Sequence, residues 1–141
     1  MLDLFIQNDK LIASDGESSD YFGVSVSISG NTVIVGSEED DDNGSNSGSA
    51  YIYRYDGNSW IEDFKLLASD GGSNDYFGTS VSISADTVIV GARLDDDNIS
   101  NSGSAYIYKF DGNAWVEEAK LLASDGSYND QFGASVSISG N

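Results

Sequence analysis

The sequence has no cysteine, no histidine and no proline in 141 residues, and only six lysines and arginines against 24 aspartates and glutamates. Each shortage excludes something. Without cysteine there are no disulfides, and without cysteine or histidine there is no Cys/His zinc centre and no catalysis by thiolate or imidazole. A formal charge of −18 makes nucleic acid a poor partner, because binding its backbone needs lysine and arginine to displace condensed counterions. An anionic membrane surface is disfavoured for the same reason, whereas cations and partners with basic patches are favoured. No apolar run is long enough to span a bilayer. Leu4-Phe5-Ile6 is too short for the core of a signal peptide, so a secreted form would carry its signal outside this chain.

What is present is a repeat. Lys10–Phe64 and Lys65–Ala119 align without gaps over 55 positions, of which 39 are identical. Residues 120–141 restart the pattern, and residues 1–9 read as the last strand of a preceding copy, with Phe5-Ile6 where Trp60-Ile61 and Trp115-Val116 recur. A fixed period of this length means a supersecondary unit that cannot bury its own faces and relies on its neighbours.

Each unit contains four strand signals and no sustained 3.6-residue period. In Phe22–Ser29, Val24, Val26 and Ile28 alternate with serines, the period of a strand. Thr32–Gly36 is a β-branched run suited to a strand covered on both faces. Ala50–Tyr55 carries Tyr51, Tyr53 and Tyr55 on one side, and a fourth segment runs from Trp60 to about Ala68. Short turns rich in glycine, asparagine and aspartate join the first strand to the second and the third to the fourth. The other two connections are long and acidic. In an up-and-down meander, alternate connections share an edge, so both acidic loops fall on one edge of the sheet. The expected architecture is all-β, with four-stranded antiparallel blades of a β-propeller and about two and a half blades in this chain.

Three motifs sharpen this reading. Phe22-Gly23 before an alternating strand, then Val33-Ile34-Val35-Gly36-Ser37, then Gly48-Ser49-Ala50-Tyr51-Ile52-Tyr53, resembles the FG-GAP repeat. Phe77-Gly78, Val90-Gly91-Ala92-Arg93 and Gly103-Ser104-Ala105-Tyr106 repeat the match, and Phe132-Gly133 opens it a third time. The resemblance implies a propeller of the kind found in integrin α-subunits and bacterial surface proteins. It also implies a non-enzymatic, extracellular or cell-surface role in adhesion, recognition or assembly. Two departures stand out. The proline of the GAP tripeptide is absent, and the turn between the FG and GAP strands (Ser29–Thr32, Ser84–Thr87) is too short for the family's D-x-D-x-D-G calcium loop.

The candidate metal ligands lie instead in the loop after the GAP-like strand. Glu39, Asp40, Asp41, Asp42 and Asn43, followed by Gly44, offer oxygens at alternate positions 39, 41 and 43, as calcium loops do. The second copy retains Asp95, Asp96, Asp97 and Asn98, with Leu94 and Ile99 interrupting the pattern. Asp15 and Asp20, or Asp70 and Asp75, come from the neighbouring loop and would complete a calcium site. Three adjacent unpaired aspartates repel one another, which favours a bound cation. Asn43 and Asn98 each begin an N-glycosylation triplet. The tyrosine rows are expected to pack between blades rather than to stack on sugar. No catalytic residue is assigned, because every carboxylate cluster is repeated whereas an active site is singular. With both end blades exposed, the expected partners are further blades of a longer chain or other copies of itself. The ligand is expected to be a protein or glycan, with neither nucleic acid nor membrane insertion. A self-assembling subunit of an extracellular polymer is the second reading, and the propeller of a carbohydrate-active enzyme is the third.

Overall fold

The computed structural model describes residues 9–140, so the strand expected over residues 1–9 lies almost wholly outside the described residues. Eight strands and no helix occur among them. The first sheet holds β1 (Phe22–Ser29), β2 (Thr32–Ser37), β3 (Ser49–Tyr55) and β4 (Trp60–Leu66). The second holds β5 (Phe77–Ser84), β6 (Thr87–Ala92), β7 (Ser104–Phe110) and β8 (Trp115–Leu121). Each is an antiparallel meander in sequence order, and the two sheets do not close on one another. No helix among the described residues is long and apolar enough to cross a membrane.

Register follows composition. β1 and β2 pair from Ser25↔Gly36 to Ser29↔Thr32 across a two-residue turn, and a bulge at Gly23-Val24 separates this ladder from Phe22↔Ser37. The bulge needs positive φ at Gly23 (+92°), which glycine adopts without strain. Residues 132–140, the expected first strand of a third blade, form no strand. They do lie along β5, where Ile138 and Gly140 donate their N–H groups to the hydroxyls of Ser82 and Ser84. In the complete blades the equivalent strands, β1 and β5, are laddered to a second strand.

The two sheets meet face to face. Ile34, Ala50 and Ile52 of the first pack against Phe77, Val81, Ile83, Val88, Val90, Tyr106 and Tyr108 of the second in one buried cluster. Phe77 is fully buried there, edge-on to Tyr106 at 5.3 Å. Its equivalent Phe22 makes the same contact with Tyr51 at 5.4 Å but is only half-buried. The neighbouring sheet accounts for the difference: Val81 and Ile83 are 7% and 5% exposed, whereas their equivalents Val26 and Ile28 are 65% and 63% exposed.

Polar contacts fix the seam. The serines that alternate with the valines of β1 turn toward the next sheet. Ser25 donates to the carbonyl of Gly78 at 2.8 Å, while Ser27 and Ser29 accept from the N–H groups of Ile83 and Ala85. Ser80, Ser82 and Ser84 repeat the set on Gly133, Ile138 and Gly140. The backbones come close enough that a Cβ on Gly36 would lie 2.0 Å from the Gly78 carbonyl oxygen, and one on Gly91 would lie 1.9 Å from that of Gly133.

Candidate functional site

Both short turns fall on one edge and both long connections on the other. The long connections are tied together by backbone bonds from Asn74, Tyr76 and Phe77 to the carbonyls of Ser45, Asn46 and Ser47. Within this edge Asp20 caps its own turn by accepting from the N–H of Glu17, and Asp75 and Asp130 do the same for Gly72 and Ser127. The Asp20 carbonyl in turn accepts from the Ser37 hydroxyl and the Glu39 N–H.

The carboxylates that converge are Asp15, Asp40 and Asp42, and the ammonium of Lys65 stands among them. Its Nζ lies 2.8 Å from Asp15, 3.0 Å from Asp40 and 2.8 Å from Asp42. The Tyr51 hydroxyl sits 2.8 Å from both Asp15 and Asp40. Asp40 is 3% exposed. The second sheet repeats the arrangement: Lys120 Nζ is 2.9 Å from Asp70, 2.8 Å from Asp95 and bonded to Asp97. The Tyr106 hydroxyl lies 2.8 Å from Asp70 and 2.7 Å from Asp95.

The charges therefore support one another. Burial works against the lysine charge, but the surrounding carboxylates and the tyrosine hydroxyl outweigh it and hold both Lys65 and Lys120 above the usual lysine range. The hydrogen bond from Lys65 holds Asp15 below the usual carboxylate range. For Asp40, Asp70 and Asp95, burial acts upward, but the lysine and tyrosine bonds leave each of them lowered. Burial, with the nearby carboxylates, raises Tyr51 and Tyr106, so both stay protonated as donors.

The sequence pattern and the geometry differ in detail. Positions 39, 41 and 43 do not form the set. Asp41 accepts from the Asn46 N–H, the Asn43 amide donates to the Ala68 carbonyl, and Glu39 is outside the cavity lining. The loop turns so that 40 and 42 converge, with 95 and 97 as equivalents. Asp96 and Asn98 stand outside the second cage, and Asn43 and Asn98 are both exposed. Of the aspartates expected to be unpaired, Asp40 and Asp42 are paired with Lys65, and Asp95 and Asp97 with Lys120. Lys65 and Lys120 are the residues that sequence reasoning missed, although each opens a repeat at the same position, 55 apart, in a chain with six basic residues. Tyr51, Tyr53, Tyr106 and Tyr108 are packing residues, 0–4% exposed.

Beside the first cage is a cavity of about 250 Å³ lined by Asp15, Glu17, Asp20, Asp40, Asp41 and Asp42. In the second sheet Gly72 replaces Glu17, and Asp75 is buried. The oxygens of Asp70, Asp95 and Asp97 lie within 4.8 Å of one another, a spacing that fits a metal ligand set. The arrangement can hold cations.

Burial pushes the Asp75 carboxyl up to about 6, with Asp95 and Asp96 adding to the effect against the opposing Gly72 N–H and Lys120. A carboxyl raised on folding favours the folded state in its protonated form. That contribution is present at acid pH and is lost as pH rises from about 4 to 6. Asp75→Asn, which keeps an acceptor for Gly72, is expected to raise the melting temperature at pH 7.5 and change it little at pH 4. Equal effects at the two pH values, or a loss at pH 7.5, would contradict this.

Compared with known proteins, the chain matches the FG-GAP repeat family model over residues 5–53, 60–108 and 115–141, three matches that begin 55 residues apart. No curated protein matches it. The first two matches take in β1, β2 and most of β3, and β5, β6 and most of β7, with both acidic loops of each repeat, and together the three cover most of the sequence. The chain is thus a member of the FG-GAP repeat family, with its repeats folded as propeller-type blades.

Proposed function

We propose that this chain is a non-enzymatic β-propeller module that works outside the cell in adhesion, recognition or assembly, with calcium as a weak ligand of its acidic edge. One observation carries the reading. The polar edge is built twice, by equivalent residues in equivalent positions, so what it offers is repeated binding surface rather than a single reaction centre. Loops held by a rigid sheet are where such contacts usually reside. Neither cage presents a free carboxylate pair, since each is closed by its own ammonium, which removes support from the glycoside-cleaving alternative. Family membership supports the module and its setting, while the ligand must be argued from the site.

Calcium is supported by the cavity of the first blade, which six carboxylates line while Lys65 pairs with three of them. Calcium takes about six to eight oxygens, and sites in extracellular modules bind at roughly 10⁻⁴–10⁻³ M. Calorimetric titration is expected to give binding heat in this range for the wild type and weaker binding for Asp41→Asn. No heat, or identical curves, would reduce the cavity to a solvated acidic turn.

A second reading, a self-assembling subunit, is favoured by the uncovered face of the first sheet. Val24, Val26 and Ile28 stand 43–65% exposed there, whereas the equivalent Val81 and Ile83 are sealed by a neighbouring sheet. Further blades or other copies would fit that face. Sedimentation at micromolar concentration is expected to show association beyond the 15.0 kDa chain. A compact, cooperatively folded monomer would remove this reading and leave the first.

A further inference from the structure

We propose that Lys65 and Lys120 take the place of a bound cation, so that each blade carries, as part of its own chain, the positive ion that ties its acidic loops together. The second blade, where Gly72 stands at the position of Glu17, shows the cage apart from the calcium cavity.

Three separate segments supply that cage. Asp70 comes from the link between the sheets, Asp95 and Asp97 from the β6–β7 loop, and Lys120 from β8. All three acids carry the same charge, and the group that meets all three is a cation, while the Tyr106 hydroxyl reaches only Asp70 and Asp95. Their oxygens lie within 4.8 Å of one another, as ligands to one ion do. The ammonium occupies that point, with 15% of its side chain exposed against 3% for Asp95. The loop is also built around it. The remaining oxygen of Asp95 accepts from the Asp97 N–H, and Asp95 Oδ2 accepts from the hydroxyls of Ser104 and Tyr106. The first blade repeats the cage with the same residue types at the same spacing. An incidental surface pair is not reproduced in this way. An exposed ion pair contributes little, whereas removing one partner of a buried pair leaves uncompensated charge and is strongly destabilising.

The consequence is that the link between the sheets is pinned to the loop edge without any metal. Removing the ammonium should then leave a vacant ion site, not merely a weakened contact. The test is Lys120→Ala, with thermal melts in chelator, in millimolar calcium and in sodium chloride of matched ionic strength. In chelator the variant is expected to melt several degrees below the wild type. Calcium should recover most of that loss, a larger gain than calcium gives the wild type, and sodium chloride should not. The added removal of Asp97 (Lys120→Ala with Asp97→Asn) should abolish the gain. Terbium offers a second readout, since an ion in the cage sits beside the Tyr106 hydroxyl: tyrosine-sensitised emission should appear in Lys120→Ala above the wild-type level. A variant that folds only with calcium also supports the proposal. It is overturned if the variant melts like the wild type in chelator, if its calcium gain equals the wild type's or survives loss of Asp97, or if it stays unfolded with calcium as without.

Discussion

The closest constraint in this molecule is backbone against backbone at the seam between sheets. The carbonyl of Gly78 reaches into the space where Gly36 would carry a side chain, and the carbonyl of Gly133 does the same at Gly91. Any side chain there meets main chain, which has little freedom to move aside. From this approach the rest follows. It brings β1 beside β5, within reach of the serine hydroxyls. It seals Phe77, already edge-on to Tyr106 and Tyr108 of its own sheet, inside the shared core. It also sets Gly48 next to Phe77, where a short parallel bridge joins the loop edge of one sheet to the start of the next. The Phe-Gly and Gly-x-x signatures are therefore two sides of one contact, made between successive repeats.

Charge is arranged with the same economy. With six basic residues against 24 acidic ones, position decides what each cation stabilises. Lys65 and Lys120 close the two cages. Arg93 spans the seam, pairing with Glu38 of the first sheet while lying over the Tyr76 ring. Arg54 reaches the Phe110 ring of the second sheet and pairs with Asp63. Four of the six cations thus hold loops or sheets together. An edge so organised is stable at neutral pH because its paired aspartates are lowered, and it weakens in acid as they protonate. Asp75, buried and without a cation of its own, runs the other way.

The strands were legible in the sequence because β-periodicity is local. Alternating Val24, Val26 and Ile28, the run at Thr32–Gly36 and the tyrosine row at Ala50–Tyr55 each specify a strand without reference to the rest of the chain, and the short turns fix the meander. The acidic edge was legible too, since it follows from strand direction alone. The cages were not. Asp15 and Lys65 are 50 residues apart, and nothing local says that they meet. Counting alternate positions from Glu39 assumes an extended loop. The real loop folds back through Asp40, whose carbonyl accepts from Gly48, so 40 and 42 converge instead. The segment 132–140 carried a strand pattern yet forms no strand, and it meets β5 through serine hydroxyls.

The seam contact between Gly36 and Gly78 is what joins the two sheets. Chemical denaturation of Gly36→Ala, followed by the fluorescence of Trp60 in one sheet and Trp115 in the other, tests it directly. If close backbone approach holds the blades together, the variant loses about 3 kcal/mol or more of stability, and the two sheets no longer unfold as one cooperative unit. A variant within about 0.5 kcal/mol of the wild type, the range of an ordinary surface change, would contradict the account.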